Sequence, residues 1–185
     1  TTYEYNAFGQ VVKATDARGN STYNYYDSLG RLSKVRDAES YVTETSYTAF
    51  GEIASVKRYY NKTTSAISTT TPPTVTAHAK DATTSFEYDK LGRVTKSTDA
   101  AGFFETYTYD ALGNRASKTA KSASGSLVAG GTTTYTYDKR GLLLTETLPM
   151  ASYNNSGTLV SSTVTNKFEY DARGNRTKMI EAYGL

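Results

Sequence analysis

The sequence predicts an all-β protein, an antiparallel meander of repeated β-hairpins that together form one long twisted sheet. Three observations carry that prediction. A Tyr recurs at Tyr5, Tyr26, Tyr47, Tyr88, Tyr109, Tyr137 and Tyr170, and each is followed four residues later by Gly: Gly9, Gly30, Gly51, Gly92, Gly113, Gly141 and Gly174. Two residues ahead of five of these Tyr stands a second aromatic (Tyr3, Phe86, Tyr107, Tyr135 and Phe168, with Asn24 and Thr45 the exceptions), and the alternation, as in Tyr107-Thr108-Tyr109, is the period-2 signature of a strand with two unlike faces. Between Tyr5, Tyr26 and Tyr47, and again between Tyr88 and Tyr109, the interval is 21 residues, and a fixed interval marks a repeat architecture.

Each repeat reads as two short strands and two turns. The main turn opens on Asp in five copies (Asp27, Asp89, Asp110, Asp138, Asp171), on Asn6 in the first and on Thr48 in the third. A carboxylate or amide there bonds backbone N–H groups two residues on, and Gly accepts the positive φ that closes the hairpin. A second turn lies midway, at Asp16-Ala17-Arg18-Gly19 and Asp99-Ala100-Ala101-Gly102, with Asp37-Ala38-Glu39-Ser40 in the same place but lacking Gly. About six residues remain for each strand, the usual length.

Residues 1–60 hold three regular repeats whose exit strands offer Val11, Leu32 and Ile53 to the Tyr strands. Cross-strand pairs of this kind contribute roughly 0.2–1 kcal/mol each. The period breaks at about 61–82, a Thr- and Ser-rich insert around Pro72-Pro73, whose prolines cannot donate to a sheet ladder. Two further inserts, about 119–132 and 149–165, have turn residues at their centres and strand-like flanks and read as longer hairpins. All three fall at second turns, so in a regular meander they protrude together from one edge. The domain expectation is a single array over 1–185; with Tyr3 already in register two residues from the start, it is read as part of a longer one.

Composition narrows the function. A chain of 185 residues is long enough to bury around 70% of its unfolded surface. The net charge of +3 is dispersed, with acidic residues alternating with basic ones, and offers no concentrated positive face for nucleic acid. No apolar run approaches the ~20 residues of a membrane span. The chain has no Cys and a single His, His78, without nearby carboxylates in metal spacing. No nucleophile with a base can be assembled from these residues, and no phosphate-cradling Gly loop precedes a helix. The reading is a non-enzyme without cofactor or metal.

The motif Tyr-Asp-x-x-Gly-Arg followed by Leu or Val, at Tyr26-Asp27-Ser28-Leu29-Gly30-Arg31-Leu32 and Tyr88-Asp89-Lys90-Leu91-Gly92-Arg93-Val94, closely resembles the YD-repeat, or Rhs, family. The resemblance covers nearly all of the chain outside the inserts. It implies a β-sheet spiralling into a hollow shell, as in bacterial Rhs polymorphic toxins, the cocoon subunits of insecticidal toxin complexes, wall-associated proteins and teneurins. The partners it implies are the rest of the shell and an encapsulated toxin domain, in a secreted or cell-surface, bacterial setting. The Asp-Pro-rich core segment with its self-cleaving aspartyl site, which the toxins carry, has no counterpart here, so neither self-cleavage nor toxicity is expected of this chain.

The repeated residues are assigned to architecture. Asp27, Asp89, Asp110, Asp138 and Asp171, with Gly30, Gly92, Gly113, Gly141 and Gly174, serve the turns; the seven Tyr residues pack between repeats. Catalytic carboxylates must converge and calcium needs six or more oxygens, whereas these Asp residues lie in a row along an edge. A binding module is the alternative, with glycans or a partner cell met by exposed Tyr and the inserts; Tyr59, Tyr60 and Tyr153 are its candidates. Self-assembly through the unpaired strands at 1–5 and 176–182 is a weaker third reading.

Overall fold

A computed structural model describes residues 1–125, 127–153, 156 and 159–182, with the main chain alone at 127–130, 151–153 and 159. Every regular element among these residues is a β-strand, and the antiparallel strand order is the chain order throughout. The chain divides into two compact units, residues 1–86 with 99–101, and residues 87–98 with 102–185.

The first unit contains β1 (Thr2–Tyr5), β2 (Val11–Thr15), β3 (Ser21–Tyr26), β4 (Leu32–Arg36), β5 (Val42–Tyr47), β6 (Ile53–Arg58) and most of β7 (Ala82–Tyr88). Each main turn joins an odd strand to the next even one with one geometry. At the second, Gly30 N–H donates to Asp27 O (2.9 Å) and Asp27 N–H to Arg31 O (2.8 Å), while Asp27 Oδ1 accepts from Leu29 N–H and Arg31 N–H. Gly30 takes φ +77°, a left-handed conformation that costs an L side chain roughly 1–2 kcal/mol. The register then shifts by one residue, so that Tyr26 faces Leu32 rather than Ser33. The third turn does without Asp: Thr48 Oγ1 accepts from Phe50 N–H and donates to the Glu52 carboxylate.

The first insert departs from the expectation of an edge protrusion. Residues 61–81 form no strand and lie across one face of the sheet. Tyr25 Oη donates to Ser68 O (2.8 Å), Arg36 to Ser65 O (3.0 Å) and Lys34 to Pro73 O (3.4 Å). The reason is burial: Tyr25, Arg36 and Val42, at 3%, 6% and 1% exposure, share this face by register, and an irregular chain laid over them supplies both apolar cover and carbonyl acceptors. Thr63, itself buried, donates its hydroxyl to Thr74 O and so ties the two limbs of the insert together. Asp81 fastens its ends, accepting from Tyr60 N–H and His78 N–H and pairing with Lys57 at 3.0 Å.

The second unit contains β8 (Val94–Thr98), β9 (Phe104–Tyr109), β10 (Arg115–Lys121), β11 (Leu127–Tyr137), β12 (Leu143–Tyr153), β13 (Leu159–Tyr170) and β14 (Arg176–Ile180). Here the inserts are longer hairpins: β10–β11 reaches Lys121 opposite Leu127, and β12–β13 stays in register from Thr145–Lys167 to Tyr153–Leu159. The tip of the latter, apart from Ser156, lies outside the described residues. The two faces differ. One carries Tyr107 and buried Phe168; the other presents hydroxyls that pair across strands, Thr108 with Ser117, Thr119 with Thr132, Thr136 with Thr145 and Thr147 with Thr165, at 2.6–2.9 Å.

Candidate functional site

What recurs with the sequence motif is a joint between successive repeats. Its first part is the turn carboxylate. Asp89 Oδ1 accepts from Leu91 and Arg93 N–H, as Asp27 does from its own turn, and Asp89 Oδ2 receives Arg93 Nε at 2.7 Å and Arg93 Nη2 at 2.7 Å. Arg31 grips Asp27 through the same two nitrogens, each at 2.8 Å. A planar guanidinium held on one carboxylate oxygen in this way has a fixed plane.

That plane is laid on the next repeat. The Arg31 guanidinium stands 4.3 Å from the Tyr47 ring centroid, and that of Arg93 4.5 Å from the Tyr109 ring. The same Tyr residues return a hydrogen bond to the repeat that supplied the Arg: Tyr47 Oη donates to Leu32 O at 2.8 Å and Tyr109 Oη to Val94 O at 2.7 Å. Tyr26 makes the equivalent bond to Val11 O (2.9 Å), although Gln10 replaces Arg there; Gln10 Nε2 reaches the next turn instead, at Gly30 O (2.8 Å). Each acceptor is 15 residues before its Tyr. Tyr, Asp, Gly, Arg and the following apolar residue are thus parts of one contact, complete at Arg31–Tyr47 and Arg93–Tyr109 and made by the hydroxyl alone at Tyr26.

Hydrogen bonding sets the electrostatics. The Arg31 N–H holds the Asp27 carboxyl below the usual range, helped by the Arg31 side chain and Leu29 N–H; Arg93 N–H does the same for Asp89. Where Asn follows Gly, its amide takes over: Asn114 lowers Asp110 and Asn175 lowers Asp171, each with Nδ2 on Oδ2 at 3.0 and 2.9 Å. Asp138 is lowered chiefly by Leu142 N–H, its Arg having moved to Arg140, which also donates to Ala172 O in the next turn at 3.2 Å. These carboxylates are spent within their own turns. Among the described residues no group of three His, Cys, Asp or Glu is placed to hold a metal ion, and no helix is long and apolar enough to cross a membrane.

The seven Tyr residues are not equivalent. Tyr26, Tyr47, Tyr88, Tyr109, Tyr137 and Tyr170 are half-buried, while Tyr5 is 59% exposed. The buried Tyr of the first unit is Tyr25, its ring turned to the opposite face from Tyr26 and covered by the first insert. Tyr25 escapes the pattern because it fills the usually polar slot; the doublet Tyr25-Tyr26 was the available signal. Arg31 and Arg93, plain in the motif, gain their role only from the neighbouring repeat. Of the candidates for outward contact, Tyr59 is engaged, its hydroxyl on the Glu44 carboxylate and Lys57 over its ring; the hydrogen bond pushes its pKa up to about 12. Tyr60 is 50% exposed and stacked on His78 at 4.6 Å. The Tyr153 side chain lies outside the described residues. The first unit also holds an open cleft of about 570 Å³ between its first two main turns and the insert, lined by Asn6, Phe8, Gln10, Tyr25, Leu29 and Pro72 among others.

A sheet of repeated Tyr-Asp hairpins in chain order defines a class, the YD-repeat sheet. The model of the teneurin YD-shell family matches residues 72–184, more than half of the chain, and the chain belongs to that family. Among solved structures, its fold is similar to that of a TcdB2-TccC3-TEV chain, with a TM-score of 0.65 and 19% identity over 97% of this chain and 9% of the other. A TcdB2-TccC3-Cdc42 chain and a TcdB2-TccC3 chain without its hypervariable C-terminal region each match 96% of this chain and 11% of their own, with TM-scores of 0.50 and 17% identity. This chain therefore spans about a tenth of the chains it matches. No curated protein matches its sequence.

Proposed function

We propose that this chain is a structural segment in the wall of a larger, extracellular YD-repeat shell, where it takes part in enclosing a cargo and performs no catalysis. The observation that carries the reading is the Arg-Tyr joint, in which one repeat holds the next by a ring stack and a hydroxyl-to-carbonyl bond, at Arg31–Tyr47 and again at Arg93–Tyr109. A module whose stability comes from neighbours gains from every repeat added to it. The membership of the YD-shell family and the likeness in fold to chains about ten times as long support it. The test is electron microscopy of the full gene product that carries this segment. A hollow particle with internal density, lost on deleting the repeats, is expected; a flat sheet, a solid rod or an unchanged particle overturns the reading.

The cleft of the first unit favours a second reading as a binding module. Amide and hydroxyl groups of Asn6, Gln10, Asn24 and Thr70 stand beside the exposed ring of Phe8, a combination suited to a neutral glycan. Titration with neutral oligosaccharides, followed by NMR of Phe8 and Asn24, tests it: unchanged signals at millimolar ligand reject it. Assembly through strand edges is the third, and sedimentation of the chain over a range of concentrations bears on it.

A further inference from the structure

The main-turn edge of the first unit carries a stripe that the joint does not use. In all three of its main turns the residue before Gly is large, apolar and pointed at solvent: Phe8 is 88% exposed, Leu29 75% and Phe50 92%. The second-turn edge has Arg18 and Glu39 at the corresponding positions, so the two edges of the same ribbon differ in kind. Nothing in the turn requires an apolar residue there, because the slot contributes only its N–H, to Asn6, Asp27 or Thr48. In the second unit Leu91 and Leu112 are exposed in the same slot at 77% and 70%, after which Arg140 and Arg173 take the place.

We propose that this edge of the first unit is a self-association surface, and that its occupant is the same edge of a second copy of the chain related by a two-fold axis. Successive tips are two strands apart, about 10 Å. A second copy matches that pitch by construction, which any unrelated partner would have to reproduce over three repeats. The order Phe8, Leu29, Phe50 is also its own mirror, so an axis at the central turn sets Leu29 on Leu29 and Phe8 on Phe50, as a two-fold interface requires. Charge does not oppose the pairing, since Asp27 is neutralised by Arg31 and the remaining carboxylate, Glu52, is tied back to Thr48. An aromatic side chain brings on the order of 150–250 Å². Three tips therefore fall short of the ~800 Å² per partner of a stable complex, and the association is weak and concentration-dependent. This surface is distinct from the strand edges at 1–5 and 176–182, and its failure would leave the wall reading intact.

The experiment is sedimentation velocity of the whole 185-residue chain across micromolar to millimolar concentration, beside the F8S/F50S variant. Because the tips are exposed, the variant keeps its fold, which circular dichroism and Tm verify. A monomer–dimer equilibrium weakened about tenfold or more in the variant is expected. The chain has no Cys, so L29C provides an independent measurement. The two-fold axis brings residue 29 against its own copy, and diamide oxidation converts L29C to a disulfide dimer at least tenfold faster than A38C on the other edge. A strict monomer, a dimer indifferent to F8S/F50S, or equal cross-linking of L29C and A38C overturns the proposal.

Discussion

Replacing Tyr109 by Leu removes both halves of one joint, the ring under Arg93 and the hydroxyl on Val94 O. The hydrogen bond contributes about 1 kcal/mol net, since folding exchanges it for one to water. The guanidinium–ring contact adds about 0.5–1 kcal/mol at a partly exposed site, and the Arg93 side chain retains 28% of its exposure. The apolar bulk of Leu keeps most of the strand packing, so the expected loss is about 2 kcal/mol, or a Tm lowered by roughly 4–8 °C for a chain of this length. Arg93→Ala should cost less, because Leu91 N–H and the residue 93 N–H still cap Asp89. The decisive quantity is the coupling. In urea denaturation, the R93A/Y109L double variant should be less destabilised than the sum of the singles by about 0.5–1 kcal/mol. Strict additivity would refute the joint, since it would mean that the Arg and the ring one repeat away do not act together.

Glycine at the turns gives a paired test: Gly9→Ala meets only the left-handed φ of +77°, whereas Gly30→Ala has the same φ and also sets its Cβ 3.2 Å from Gln10 Nε2. Both lower stability by thermal melting, by about 1–2 kcal/mol for the backbone term, and G30A lowers it more. Asp81→Ala should release the 61–81 crossing while the strands persist, read as faster proteolysis around Thr70–Thr71 with an unchanged strand signal in circular dichroism. On the acid side, the turn carboxylates have folded pKa values below their unfolded ones. Their contribution is therefore complete above the ordinary carboxylate pKa of about 4 and is lost as pH falls through the lowered values; urea midpoints should be flat from pH 7 to about 5 and drop below 4. On the alkaline side, Tyr59 and Tyr107 have pKa values raised to about 12, Tyr59 chiefly by its bond to Glu44 and Tyr107 chiefly by burial. Stability is thus complete below the unfolded Tyr pKa of about 10 and is lost between there and pH 12, with Tyr59→Phe flattening part of that slope.

The 21-residue interval, the Tyr before each turn and the Gly four residues after it were enough to read an all-β meander, because hairpin registers and turn conformations are local matters that side chains a few residues apart decide. The expected main turns and the hairpin form of the second and third inserts were legible for the same reason. The first insert was not. Its Thr, Ser and Pro said only that it could not join the ladder; that it lies over Tyr25, Arg36 and Val42 follows from a face assembled by β3, β4 and β5 together. The joint divides the same way. Asp27 and Arg31 are neighbours in sequence, and a close pair could be read there. That the guanidinium then stacks on Tyr47, and that Tyr47 returns a bond to Leu32 O, depends on the sheet bringing residues 15 and 16 apart into contact. The sequence alone thus determined the strand-and-turn unit and its period, whose causes are covalent reach and backbone conformation. Which residues hold one unit to the next, and which apolar tips are left in water, only the tertiary structure decided, because burial belongs to the assembled sheet.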